Sequence, residues 1–297
     1  MTDPALPAVV GFVGLGRMGT PMAGRLAAGG VVVRAFDSSA AALAGLGDTV
    51  TAVGSAAEVA EGASVVILML PDSGVVESVV DGGLLAALEP GTLLVDMSSS
   101  EPLRTRALAA RVADAGATLV DAPVSGGVAG ARAATMSIMI GADAATAGRL
   151  EPLFALMGRP RRVGDVGAGH ALKALNNLMS AAHLLASSEA LLAGTRFGLD
   201  PEVMLEVVNG SSGRSNSTET KWPQHVVTGT FGSGFTAGLM AKDVRIALGL
   251  LDATGVEGGV AREVSERWEA AVALLGPDAD HTEIVRYLER TGPEERR

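Results

Sequence analysis

The segment Gly14-Leu15-Gly16-Arg17-Met18-Gly19 constrains this chain more than any other stretch. It follows directly on a short apolar run, residues 8–13 (AVVGFV), and leads into Ala/Leu-rich sequence at helical spacing. A GxGxxG placed between a strand and a helix has a physical reading. The first Gly permits the tight turn, the second lets a pyrophosphate approach the backbone, and the third lets helix and strand pack closely. The helix N-terminus then offers unpaired N–H groups and a partial positive charge to the phosphates. In a chain with 39 Gly the bare motif would say little, and its position after the first strand is what gives it weight. Gly14, Leu15, Gly16, Arg17, Met18 and Gly19 are therefore expected to bind a dinucleotide.

Further apolar runs follow at residues 31–36 (VVVRAF), 63–70 (ASVVILML), 91–97 (GTLLVDM), 117–120 (ATLV) and 136–140 (MSIMI), with a short 162–163 segment after them. Helical stretches such as 21–29 and 102–115 separate most of these. Short apolar strands alternating with helices predict βαβ units on a buried, mainly parallel, doubly wound sheet. After Gly169 the pattern changes. Residues 170–197 form one long helical candidate without Pro, and 201–209, 237–254 and 261–275 are also helical, with a Gly/Ser/Thr-rich loop between. The reading is an α/β Rossmann domain over 1–165 and an all-α domain over 166–297, joined by the long helix. The tail TGPEERR is expected to be disordered.

Asp37 closes the second strand, 18 residues past Gly19. An acid there can accept hydrogen bonds from both ribose hydroxyls and would repel a 2′-phosphate. No Lys or Arg follows in DSSAAAL, so NAD is favoured over NADP; Ser38 and Ser39 leave a phosphate-binding alternative, and capping of the next helix is the structural alternative for Asp37. Leu70-Pro71 and Ser98–Ser100 end the third and fourth runs. Ligands in open α/β sheets lie beyond the carboxyl ends of the strands, which puts Leu70, Pro71 and Ser98 on the nicotinamide side. The alternative for Ser98–Ser100 is a helix cap before Pro102.

Composition excludes several functions. A net charge of −10 argues against a general nucleic-acid or anionic-membrane binder, and no Cys is present for disulfides, thiolates or metal–sulfur sites. Four scattered His form no HxxxH pair, so no metal is expected. The first residues carry no basic leader and no apolar run reaches ~18 residues, so a cytoplasmic protein is expected. Apolar residues make up 48% and charged ones 19%, a balance compatible with oligomerisation. Only three of the 23 basic residues are Lys: Lys173, Lys221 and Lys242. Lys loses its charge on burial far more readily than Arg.

Lys173 and Asn177 stand at i and i+4 on the long helix and share a face. A buried amine can take or give a proton near neutral pH, which alcohol oxidation and aldehyde reduction both require. Asn177 can orient the amine or bind the substrate oxygen; Asn176 is the neighbouring alternative. Ser125-Gly126-Gly127 should form a nest of N–H groups for a carboxylate or alkoxide. Arg214, in the polar stretch NGSSGRSNSTETKW, can pair with a substrate carboxylate.

Residues 11–26 (GFVGLGRMGTPMAGRL), 121–127 (DAPVSGG), 164–177 (GDVGAGHALKALNN) and 235–243 (FTAGLMAKD) are similar to the four signature segments of the β-hydroxyacid dehydrogenase family, which includes 3-hydroxyisobutyrate dehydrogenases and tartronate semialdehyde reductases. The resemblance covers nearly the whole chain. It implies a Rossmann domain followed by an all-α domain like that of 6-phosphogluconate dehydrogenase. It also implies hydride transfer between a nicotinamide cofactor and a small 3-hydroxy acid, Lys173 as acid/base, and substrate binding at Ser125, Gly126 and Gly127. Lys242 would close over substrate and nicotinamide, and the chain would form a homodimer or homotetramer. One departure stands out: Ser215, Asn216 and Ser217 replace an aromatic residue that follows SSGR in the 3-hydroxyisobutyrate enzymes, which favours a more polar substrate. Two other functions fit this architecture, an imine reductase and a non-catalytic dinucleotide-binding protein. Both lack the Lys at this place, and Lys173 weighs against them.

Overall fold

A computed structural model describes residues 6–46 and 49–291. The C-terminal tail, from residue 292 on, lies outside the described residues. The chain divides into two compact units, Met1–Lys173 and Ala174–Arg297.

The first unit is built on a nine-stranded sheet. Strands β1 (Val9–Val13), β2 (Val32–Phe36), β3 (Val50–Ala52), β4 (Val65–Leu68), β5 (Leu93–Asp96) and β6 (Thr118–Asp121) lie in the order β3-β2-β1-β4-β5-β6, all parallel. Beyond β6 the direction reverses: β8 (Met136–Gly141) runs antiparallel to β6 and to the two-residue β7 (Val124–Ser125), while β9 (Gly158–Gly164) pairs parallel with β8. Helices α1 (Gly19–Ala28), α2 (Ala40–Ala44), α3 (Ser73–Val79), α4 (Leu85–Ala87), α5 (Pro102–Asp114), α6 (Gly127–Ala133) and α7 (Ala144–Ala155) connect these strands.

The central strands are apolar throughout because both sheet faces are covered. Val10 and Phe12 of β1 point into one buried cluster with Met22 and Leu26 of α1, whereas Val13 points into the other with Leu68 and Leu94. On β5, Leu93 and Val95 join the first cluster and Leu94 the second. This alternation is the period-2 geometry of a strand with a core on each side. The observed sheet contains β3 and β7, two strands too short to stand out as apolar runs.

Helix α8 (Ala168–Phe197) spans 30 residues and carries the chain from the first unit into the second. The second unit continues with α9 (Pro201–Asn209), α10 (Ala237–Thr254), α11 (Gly259–Leu275) and α12 (Ile284–Thr291). Local chemistry sets their ends. Asp200 caps α9 with Pro201 in its first turn, Thr236 caps α10, and Gly255 ends α10 in the left-handed region at φ +72°. Trp268, Val244, Ala247 and Ala271 are fully buried here. The polar stretch read as a loop is only partly one: Ser217–Val226 forms a π-helical segment, with Ser217, Thr218 and Trp222 buried. Its polar composition conceals this, and one of the buried hydroxyls is satisfied locally, where Thr218 donates to the Ser215 carbonyl. Among the described residues, no helix is long and apolar enough to cross a membrane.

The turn before α12 buries an ionisable cluster. Asp280 and Glu283 form a capping box, and the Ser233 hydroxyl meets both Asp280 oxygens and lies 2.9 Å from His281 Nδ1. Burial pushes the His281 pKa down from 6.5 to about 4, and the positive charge of Lys221 adds to this against Asp280. Between those values the unfolded chain binds a proton that the folded chain does not. Stability from this group is therefore gained as pH rises from about 4 to 6.5. Urea unfolding at the two ends of that window should show the parent gaining on the order of 2 kcal/mol more than His281→Gln. Equal gains would mean that the ring is not held neutral by burial.

Candidate active site

The strand order reverses between β1 and β4, so the loops after them diverge and open a crevice at the carboxyl edge of the sheet. The Gly-rich loop lies on one side of it. Gly14 has φ +98°, and a Cβ there would lie 2.2 Å from the Met69 carbonyl oxygen. A Cβ on Gly19 would lie 1.8 Å from the Gly14 carbonyl oxygen. Gly16, in contrast, faces open space, and no side chain caps the first turn of α1. A cavity of about 550 Å³ opens there, lined by Leu15, Gly16, Arg17, Thr20, Pro21 and Arg132. An uncapped helix start, an open glycine and two guanidinium-bearing residues together suit a pyrophosphate. Arg132 enters from α6, more than a hundred residues away, and nothing in the local sequence signals it.

Asp37 is tied to the same loop. One carboxylate oxygen accepts from the Leu15 N–H at 2.6 Å and the other from the Ser39 N–H at 2.7 Å. The cap of α2 is Ser39, not Asp37. Across the crevice, Leu70 N–H donates to the Ser98 hydroxyl at 2.9 Å, which locks together the loops after β4 and β5. Ser98 N–H and the Ser100 hydroxyl both donate to Asp96. Glu101 occupies the cap position of α5, so these serines hold loops rather than cap that helix. Pro71 stands beside Leu70, before α3. Ser125 ends β7, and Gly126 and Gly127 follow at φ +131° and +61° as the chain turns into α6.

Lys173 and Asn177 are both buried on α8, 9% and 7% exposed. The Asn177 side-chain amide donates to Asp243 of α10 at 2.6 Å, and the Asn176 side-chain amide donates to Asn177 Oδ1 at 3.1 Å. Asn177 is thereby fixed in orientation by a buried carboxylate, while Asn176 serves as its neighbour. Lys242 lies in the second turn of α10, its amine 3.6 Å from Asp243. Asp243 sits within a segment the sequence singles out, and its contacts are with Asn177 and Lys242. Arg214 is exposed, its guanidinium 3.7 Å from Glu219.

Three further buried polar groups were given no role by the sequence. Asp121 and His170, both fully buried, join the end of β6 to the start of α8. Burial raises the Asp121 pKa, opposed by His170 and by backbone N–H donors. In the second unit Lys221 donates to Ser180 at 2.7 Å, and burial lowers its pKa to about 8. Its rarity as one of three Lys was the available signal.

Comparison with known proteins gives a consistent picture. Residues 9–169 match the family described as the NAD binding domain of 6-phosphogluconate dehydrogenase. Residues 167–288 match that described as NAD-binding of NADP-dependent 3-hydroxyisobutyrate dehydrogenase. The chain is 41% identical to 2-(hydroxymethyl)glutarate dehydrogenase of Eubacterium barkeri over 84% of its own length and 83% of that protein's. It is 36% identical to 2-hydroxy-3-oxopropionate reductase of Escherichia coli, covering 94% of this chain and 97% of that one. The solved structure of Mycobacterium tuberculosis 3-hydroxyisobutyrate dehydrogenase with L-serine superposes with a TM-score of 0.90 at 32% identity, over 95% of this chain and 99% of that one.

The loop geometry has a direct test. Gly19→Ala should destabilise the protein by roughly 1–3 kcal/mol, because backbone rather than a flexible side chain must move. Urea midpoints measure it, and an unchanged midpoint would show that α1 does not pack on the loop as described.

Proposed function

This chain belongs to the β-hydroxyacid dehydrogenase family, and we propose on that premise that it transfers hydride between NAD and a small, polar 3-hydroxy acid or its semialdehyde. The observation that carries the reading is the buried pair Lys173 and Asn177, one turn apart on α8, with the amide of Asn177 anchored by Asp243. The bound nicotinamide would supply the hydride acceptor or donor. Lys173 would take the hydroxyl proton in oxidation and return it to the carbonyl oxygen in reduction. Asn177 would hold that oxygen or the amine in place, and Ser125, Gly126 and Gly127 would hold the carboxylate. Lys242 would stand over the substrate.

Gly14–Gly19 with Arg17 would cradle the pyrophosphate, with Leu70, Pro71 and Ser98 beside the nicotinamide. Asp37 supports NAD over NADP, since its carboxylate is held against the loop at Leu15 and would repel a 2′-phosphate. Ser215, Asn216 and Ser217 support a polar substrate. The names of the relatives share a hydroxymethyl or formyl group on the carbon beside a carboxylate, and that group defines the substrate class proposed here.

Following NADH and NADPH oxidation with a panel of semialdehydes tests the reading. Turnover should favour NADH, and Lys173→Ala should lower it by roughly 10²–10⁴-fold. A loss under about threefold would remove the amine from the chemistry. We also infer a homodimer or homotetramer. Leu199, Val203 and Val207 are exposed and line an apolar cavity of about 730 Å³ in the second unit. Light scattering should give two or four times the mass of one chain, and a monomer mass would contradict it.

A further inference from the structure

A long helix that carries a proton-transfer group needs its own start fixed, and α8 does not supply the cap from its own sequence. Gly167 precedes the helix at φ +89° and has no side chain with which to cap it. The cap comes instead from β6. One oxygen of Asp121 accepts from Gly167 N–H at 2.6 Å, and the other accepts from His170 N–H at 2.8 Å. These donors sit at the cap and third positions of the helix, where backbone N–H groups lack intrahelical partners.

The surroundings leave the carboxylate no freedom. Asp121 is fully buried. A Cβ on Gly141 would lie 2.1 Å from one of its oxygens, and a Cβ on Gly169 would lie 2.9 Å from the other and 2.3 Å from the Met139 carbonyl oxygen. The helix start is thus pressed against sheet backbone through glycine. A second anchor lies beside the first. The His170 ring is buried with Nδ1 2.8 Å from the Thr105 hydroxyl, which itself donates to the Glu101 carbonyl. The same ring lies 3.8 Å from Asp96 and 3.9 Å from Asp121. Lys173 follows His170 by three residues, so the two occupy neighbouring positions on one face of the helix.

We propose that Asp121 is a positioning residue for Lys173: its carboxylate, supported by His170 on Thr105, fixes the rise and rotation of the first turns of α8 and so the place of the amine. This rests on the reading of Lys173 as the acid/base. A displacement of about 1 Å in a reacting group can cost about 10²-fold in rate, so the anchor acts on turnover rather than on cofactor affinity.

Asp121→Asn keeps the shape but turns an N–H donor toward helix N–H groups. Its kcat should fall by roughly 10–100-fold while the dinucleotide Kd, read by NADH fluorescence, stays within about twofold. A readout independent of turnover is available because the chain has only three Lys. Reductive ¹³C-methylation gives three lysine signals, with Lys173 assigned through Lys173→Arg. In Asp121→Asn the Lys173 signal should titrate at least roughly half a pH unit from its parent value, while Lys221 and Lys242 stay in place. Should Asp121→Asn not fold, Thr105→Val removes the second anchor, with the same two effects expected in smaller degree and rescue by Thr105→Ser. An unchanged Lys173 titration in the variant that folds, or a Kd that rises as far as kcat falls, overturns the proposal. A fully active Lys173→Ala would instead remove the reading of the amine and leave the titration result to decide the anchor.

Discussion

Backbone against backbone, with no side chain between, is the contact on which the first unit depends. Gly19 lets α1 sit on the Gly14 carbonyl, and Gly14 lets the turn after β1 pass the Met69 carbonyl after β4. These approaches place an uncapped helix start at the point where the strand order reverses. Buried, alternating side chains on both sheet faces hold the platform rigid beneath it. The crevice is then furnished by hydrogen bonds that run between neighbouring loops: Asp37 to Leu15 on one side and Ser98 to Leu70 on the other.

Elements with local causes were legible in the sequence. The ends of α9 and α10 follow from Asp200 and Pro201, and from Thr236 and Gly255, all within a residue or two of the helices they bound. The parallel strands β1, β4 and β5 announce themselves because both faces are buried. What was hidden has non-local or concealed causes. β7 is two residues long and exists through pairing with β8. Ser217–Val226 mixes the buried hydroxyls of Ser217 and Thr218 with the buried Trp222 ring, so its helical form leaves no continuous apolar stripe.

The candidate site divides in the same way. Lys173, Asn177 and the Gly-rich loop are marked by residue type and spacing. Arg132 is marked by no window of sequence, and Asp121 and His170 lie in recognisable segments whose partners are distant. Asp243 falls between the two cases: it lies in a recognisable segment, but its work is a bond to Asn177, 66 residues earlier. A buried carboxylate that holds an amide by one oxygen leaves that amide a single orientation before any ligand arrives.

Borrowing the cap of α8 from β6 also has a consequence for assembly. Gly167 and His170 reach Asp121 across 46 and 49 residues. Helices with local caps can begin to form from a few neighbouring residues, whereas this one cannot close its first turn until the sheet has brought Asp121 into place. The opening turn of α8 is therefore expected to close late in folding, once the strands beneath it have joined in register.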